Sequence, residues 1–178
     1  MVFQHFNLVS RSPVITNVLA GRLGYVNPAM SLLNRFPESD TQAALKQLER
    51  VGIANQAYKR ADELSGGQQQ RVGIARAMIQ DPDMVLADEP VASLDPVSSE
   101  EIMTLLREIC DRDGITVVVN LHQVELARRF ADRIIGMSSG KIVFDDSPQQ
   151  MTQSALRTIY QREGIKDDHS LDMALAYA

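Results

Sequence analysis

Apolar positions follow helical spacing through the first part of the chain and gather into short β-branched runs further on. The pattern predicts a helix over residues 14–23. A second helix begins at Ser39, where Ser39-Asp40-Thr41-Gln42 fits a capping box, and runs to about Val51 with Ala44, Leu45, Leu48 and Val51 on one face. Residues 24–37 hold two prolines and read as loop or a short broken helix. Gly66-Gly67 opens a helix to about Gln80, stopped by Asp81-Pro82. Residues 84–87 form a short apolar run, read as a buried strand that ends in two acids. A helix over 96–112 closed by Gly114, a β-branched run over 115–119, a helix over 124–131 and a strand over 134–137 come next. A hairpin-like stretch over 140–144 and a last helix over 148–163 complete the pattern. Residues 1–6 read as the end of a strand with no room for a lead-in. Alternating strands and helices of this kind imply an α/β fold with a mostly parallel sheet.

Composition narrows the class. At 178 residues and 44% hydrophobic, the chain suits one domain with a sizeable core. The formal net charge is −5, with 23 acidic against 18 basic side chains, which argues against nucleic acid as a partner. A single cysteine, Cys110, leaves no internal disulfide and fits a reducing compartment. No apolar run approaches the roughly 18 residues of a membrane-spanning helix, and the first residues lack the features of a secretory signal. Contact with a membrane is therefore expected to go through a partner protein.

Five places carry chemistry. Leu64-Ser65-Gly66-Gly67-Gln68 sets two glycines before a helix, where open backbone N–H groups, the helix dipole and the Ser65 hydroxyl suit an anion such as phosphate. An ordinary helix cap explains the same residues, since Ser-Gly before helices is common. Gln68-Gln69-Gln70-Arg71 adds a polar face to that helix. Asp88-Glu89 lies at the carboxyl end of a strand, where open α/β sheets bind ligands. Asp88 is placed to hold Mg²⁺, and Glu89, pointing the other way along the pleat, to polarise a water. The plain alternative is two acids solvated at a strand end. Asp95 precedes a helix whose first residue is Pro96, and its default role is an N-cap. His122 follows the 115–119 strand, from where an imidazole can reach a terminal phosphate, although a lone histidine is more often structural. Gln4, at the tip of the first strand, has no meaning by itself.

Together these segments resemble the nucleotide-binding subunit of ABC transporters. Gln4 stands as the Q-loop, Leu64 to Gln68 as the signature, Val85 to Glu89 as Walker B, Ser93 to Asp95 as the D-loop and His122 as the H-loop. Single matches are weak, but five in order on the right elements are specific. Residues 3–9, 17–24 and 113–124 are similar to the ATP-binding protein of phosphonate importers. The resemblance implies a P-loop NTPase-like fold with a helical subdomain. Residues 1–6 would be the end of a core strand and the Q-loop, and 7–80 the helical subdomain with the signature. Residues 81–160 would be the C-terminal part of the ATPase core, and 161–178 a polar tail. It implies ATP and Mg²⁺ as cofactors, held between two such subunits in a head-to-tail homodimer. Asp88 and Gln4 would hold the metal, and Glu89 and His122 would act in catalysis. Gln4, Ser65, Gly66, Gly67, Gln68 and Asp95 would contact the nucleotide. Transmembrane permease subunits are the implied partners, a periplasmic or extracellular substrate-binding protein an indirect one. The place would be peripheral, on the cytoplasmic face of a bacterial inner membrane.

The sequence departs from that family at one point. No Gly-x-x-x-x-Gly-Lys-[Ser/Thr] occurs in the 178 residues, so the backbone cradle and lysine that hold the β- and γ-phosphates are missing from them. The expectation is an importer ATPase recorded without its N-terminal part, inactive alone and poorly stable. A non-catalytic relic that presents its signature face to a complete partner is the alternative. A soluble ABC ATPase acting on DNA or ribosomes would want a tandem cassette or a long coiled-coil insertion, and neither fits.

Overall fold

The computed structural model describes residues 1–26 and 35–160. Most of the expected loop at 24–37, the end of the 148–163 helix and the polar tail lie outside the described residues. The chain divides into two compact units, Met1–Asn120 and Leu121–Ala178.

In the first unit, three helices pack on one another: α1 (Val14–Leu19), α2 (Glu38–Arg50) and α3 (Gly66–Met78). Val14 and Val18, then Ala44 and Leu48, repeat four residues apart, and all four are completely buried together with Val72 and Ala75 of α3. That spacing puts each pair on one helix face, and a fully buried Val or Leu contributes about 1.5–3 kcal/mol. α1 is shorter than expected and continues as a 3₁₀ turn, Ala20–Arg22. The turn contains Gly21, whose missing Cβ would lie 2.5 Å from the Arg76 carbonyl oxygen and 2.6 Å from Ile79 Cγ2. Only glycine lets this backbone lie directly on α3.

The capping box expected at Ser39 does not form. α2 begins at Glu38 with Pro37 as its N-cap and no side-chain cap bond. Proline's fixed φ, here −55°, sets the chain for helix entry ahead of the serine. Gln42 Nε2 then donates to Glu38 Oε1 at 2.7 Å, and Asp40 pairs with Arg22 at 3.3 Å.

Beyond α3 come β1 (Met84–Asp88), α4 (Pro96–Asp113) and β2 (Thr116–Asn120). β1 and β2 run parallel, from Met84 opposite Thr116 to Asp88 opposite Asn120. Val2 joins β1 on the same sense: its N–H donates to Leu86 O at 2.8 Å and its carbonyl accepts from Asp88 N–H at 2.9 Å. α4 ends at Gly114 in the left-handed region (φ 65°), which glycine reaches without strain. β1 was expected to be buried throughout. Instead it alternates, with Val85 and Ala87 inside and Met84, Leu86 and Asp88 exposed. Val118 of β2 shares the exposed face, so among the described residues this sheet is covered on one side.

The second unit contains α5 (Val124–Phe130), the antiparallel strands β3 (Ile134–Ser138) and β4 (Lys141–Asp146), and α6 (Gln153–Tyr160). Ile134, Met151 and Leu156 form its core, with Val124, Ala127, Phe144 and Ile159 packed around them. Arg133 forks onto Asp145 at 2.6 and 2.7 Å across the hairpin.

Candidate functional site

The carboxyl end of β1 gathers three chain segments. Asp88, the last residue of the strand, lies opposite Asn120 in the parallel register, and Asn120 Nδ2 donates to Asp88 Oδ1 at 2.9 Å. The Asn120 carbonyl accepts from Glu89 N–H at 3.1 Å, while Asp88 N–H is held by Val2. The Val2 bridge puts Gln4 just past the same end of the sheet. Asp88, Glu89, Gln4 and Asn120 therefore converge where a parallel sheet ends, the side on which open α/β folds bind ligands.

Glu89 does not continue the pleat. It lies outside β1 with φ 45°, one of five non-glycine residues in the left-handed region among the described residues. Such a conformation costs on the order of 1–3 kcal/mol and persists only when its surroundings impose it. Here the Asn120 carbonyl fixes the Glu89 N–H, and the chain turns at once into buried Pro90 and Val91. The turn, rather than strand alternation, thus sets how the Glu89 side chain leaves the backbone.

Asp88 offers exposed, hard carboxylate oxygens, one of which is oriented by Asn120. That donor set suits Mg²⁺, which takes one or two protein oxygens and completes its shell with phosphate and water. Among the described residues no group of three or more His, Cys, Asp or Glu is arranged as a closed metal cage.

The second cluster lies at the start of α3. Ser65 is its N-cap, and the capping box is complete. Gln68 N–H donates to Ser65 Oγ at 3.4 Å, and Ser65 N–H donates to Gln68 Oε1 at 3.1 Å. The cap reading is therefore correct, and it leaves Gly66 and Gly67 N–H groups at the positive end of a 13-residue helix. The glycines also serve packing. A Cβ on Gly66 would come 3.2 Å from Leu94 Cδ2, and one on Gly67 would come 3.3 Å from Ser98 Cβ and Oγ.

That contact brings the start of α4 beside the start of α3. Asp95 caps α4, its Oδ1 accepting from Val97 N–H at 3.1 Å and Ser98 N–H at 3.0 Å. The Ser98 hydroxyl, then the backbone N–H groups, hold the Asp95 carboxyl below its ordinary pKa. Ser65, Gly66, Gly67, Gln68 and Asp95 thus form one surface of two adjoining helix N-termini. The polar face expected along Gln68 to Arg71 is not all solvated, because Gln70 is completely buried.

His122 falls in the second unit, two residues past β2, with its side chain exposed. Its carbonyl accepts from the Tyr160 hydroxyl at 3.3 Å, and burial raises the Tyr160 pKa. The residue that sequence reading passed over is Asn120. Its signal was a polar side chain closing an otherwise β-branched strand, meaningful only once β2 is known to lie beside β1.

Solved structures define the class of this fold. A metal-chelate-type ABC transporter in an inward-facing conformation superposes with a TM-score of 0.80 at 25% identity, covering 89% of this chain and 62% of that one. A dimeric ATP-binding cassette in a post-hydrolysis state, bound to ADP and Pi, matches with a TM-score of 0.67 at 36% identity over 83% of this chain and 61% of its own. The sequence pattern of the family described as ABC transporter matches residues 1–92. The chain belongs to the ABC transporter family, on the side of its ATP-binding cassettes. Within it, the chain is 67% identical over all 178 residues to the phosphonates import ATP-binding protein of Thiobacillus denitrificans, covering 69% of that protein. It is 58% identical to a phosphonates import ATP-binding protein of Trichodesmium erythraeum, over 98% of this chain and 68% of the relative. A phosphite import ATP-binding protein of Stutzerimonas stutzeri is 54% identical over 90% of this chain, which spans 58% of that relative. The chain spans about two thirds of the length of the first two. Among the described residues no helix is long and apolar enough to cross a membrane.

Proposed function

We propose that these residues belong to the ATP-hydrolysing subunit of an importer for phosphonates or closely similar phosphorus oxyanions. In this reading Asp88 and Gln4 would hold Mg²⁺, which would supply positive charge against the phosphates, and Asn120 orients the Asp88 carboxylate. Glu89 polarises the attacking water and His122 contacts the γ-phosphate. Ser65, Gly66, Gly67 and Gln68, beside Asp95, face the nucleotide held by a second copy in a head-to-tail dimer. Residues 7–80 form the part that meets the permease, peripheral to the cytoplasmic face of the membrane. A substrate-binding protein enters the cycle only through that permease. The observation that carries the reading is the turn at Glu89. It is an imposed left-handed residue directly after a metal-suited Asp88, at the carboxyl end of a parallel strand. Strain of that kind concentrates where a side chain must be aimed.

The test is Glu89→Gln in a chain of full family length that includes a phosphate-binding loop, assayed with its permease. Loss of the water-polarising carboxylate is expected to lower ATP turnover by about 10²–10⁴-fold while ATP binding persists. Turnover within a factor of two of the parent would remove Glu89 from this role.

A further inference from the structure

Asn120 touches both acids at the end of β1. Its side chain donates from Nδ2 to Asp88 Oδ1 at 2.9 Å, and its carbonyl accepts the Glu89 N–H at 3.1 Å. The two contacts are separable. The second belongs to the backbone, and any residue at this position would make it. The first needs a side-chain donor of this length.

The fold itself does not call for that donor. Asn120 ends β2 after Thr116-Val117-Val118-Val119, with its side chain exposed. A hydrogen bond between two solvated groups adds little stability, because water serves both partners as well. Asparagine is also depleted in strands, where a fourth β-branched residue would sit more readily. The residue is better explained by its effect on Asp88.

That effect follows from counting oxygens. An ionised carboxylate carries two acceptor oxygens and can hold a cation with one or with both. The Asn120 amide engages Oδ1, so Asp88 has Oδ2 to offer, and using both oxygens would sacrifice the amide bond. The neighbourhood adds few others. Gln4 is neutral, and among the described residues no three His, Cys, Asp or Glu gather into a cage. A site poor in oxygens separates two hard cations. Ca²⁺ takes about six to eight oxygens, often both from one carboxylate. Mg²⁺ keeps near-octahedral order and several waters, and it needs only one or two carboxylates beside phosphate.

We propose that Asn120 is a positioning residue that sets the metal selectivity of this site. By engaging Oδ1 it restricts Asp88 to one oxygen, and so favours Mg²⁺ over Ca²⁺. The inference rests on the metal role proposed above for Asp88, and it adds which ion is preferred and which side chain decides.

The test needs no turnover. A chain of full family length, with its phosphate-binding loop and a non-hydrolysable ATP analogue bound, is loaded with Mn²⁺. Electron paramagnetic resonance then follows displacement of Mn²⁺ by Mg²⁺ or by Ca²⁺. Asn120→Leu removes the donor at similar size, and Asn120→Asp puts an acceptor in its place. In Asn120→Leu the preference for Mg²⁺ over Ca²⁺ is expected to fall about tenfold, mainly through tighter Ca²⁺. In Asn120→Asp it is expected to fall at least as far, since a further carboxylate becomes available. A merely structural role would weaken both ions together and leave their ratio in place. A ratio within about twofold of the parent in either variant would therefore overturn the proposal. Should Asn120→Leu fail to fold, the polar Asn120→Asp decides alone. Asp88→Asn separates the two readings. It is expected to weaken both ions by about tenfold or more. Unchanged affinity there would remove Asp88 from the metal and this inference with it, whereas weakened affinity beside an unmoved ratio in the Asn120 variants would sink this inference only.

Discussion

At the scale of single residues, the clearest physics lies in Asp95. Its carboxylate satisfies two N–H groups at the start of α4, and the Ser98 hydroxyl adds a third bond, so the folded chain favours the ionised form. The sign follows from linkage: a folded pKa below the ordinary 3.8 gives stability that is complete above that value. It is lost as pH falls through the lower, folded value. Asp95→Asn keeps the capping geometry but cannot titrate. Urea midpoints measured from pH 7 to 3 should therefore fall more steeply for the parent than for the Asn variant below pH about 4. Parallel curves for the two would show that the cap carboxylate is not linked to folding. Glu89 belongs at this scale too. Both acids were readable as candidates, but the sequence placed Glu89 on the pleat. The backbone turn that actually aims it depends on the Asn120 carbonyl, 31 residues away in the chain.

At the scale of elements, most boundaries were legible to within one or two residues where a local device sets them. Gly66-Gly67 after Ser65, Pro96 after Asp95 and Gly114 each act on their own neighbours, and the helices start or stop there. At the start of α2 Pro37 displaced the expected serine cap, because two local signals competed and the stiffer one prevailed, and without such a device α1, expected to 23, ends at Leu19 and α6, expected from 148, begins at Gln153. Packing between elements was less legible. Gly21 stood only as one position of the helix expected over 14–23, yet it is the point where the turn after α1 lies on the backbone of α3. Gly21→Ala must push against the α3 backbone at the Arg76 carbonyl as well as against the Ile79 side chain. It is expected to destabilise the chain by about 1–3 kcal/mol, read as a lower urea midpoint with an unchanged slope. No loss of stability would mean that the helical cluster yields there more easily than its buried valines and leucines suggest.

For the whole molecule, family membership was readable because five short motifs kept their order and their places on strands and helices. Activity is a separate matter. The 178 residues contain no phosphate-binding Gly-x-x-x-x-Gly-Lys-[Ser/Thr], so a polypeptide limited to them should bind ATP more weakly than about 1 mM by titration calorimetry. Micromolar affinity would require another phosphate cradle within these residues. Sequence by itself determined what acts over a few residues: the helical spacing of Val14 and Val18, the Ser65 cap, the Asp88-Glu89 pair and the β-branched run into β2. Tertiary structure alone decided which of these meet. The Asn120 bond to Asp88, the turn at Glu89, the adjoining starts of α3 and α4, and the Arg76 bonds to the Phe6 and Asn7 carbonyls all join residues 25 or more positions apart. Such contacts form only when helices and parallel strands pack, and no local preference records their outcome.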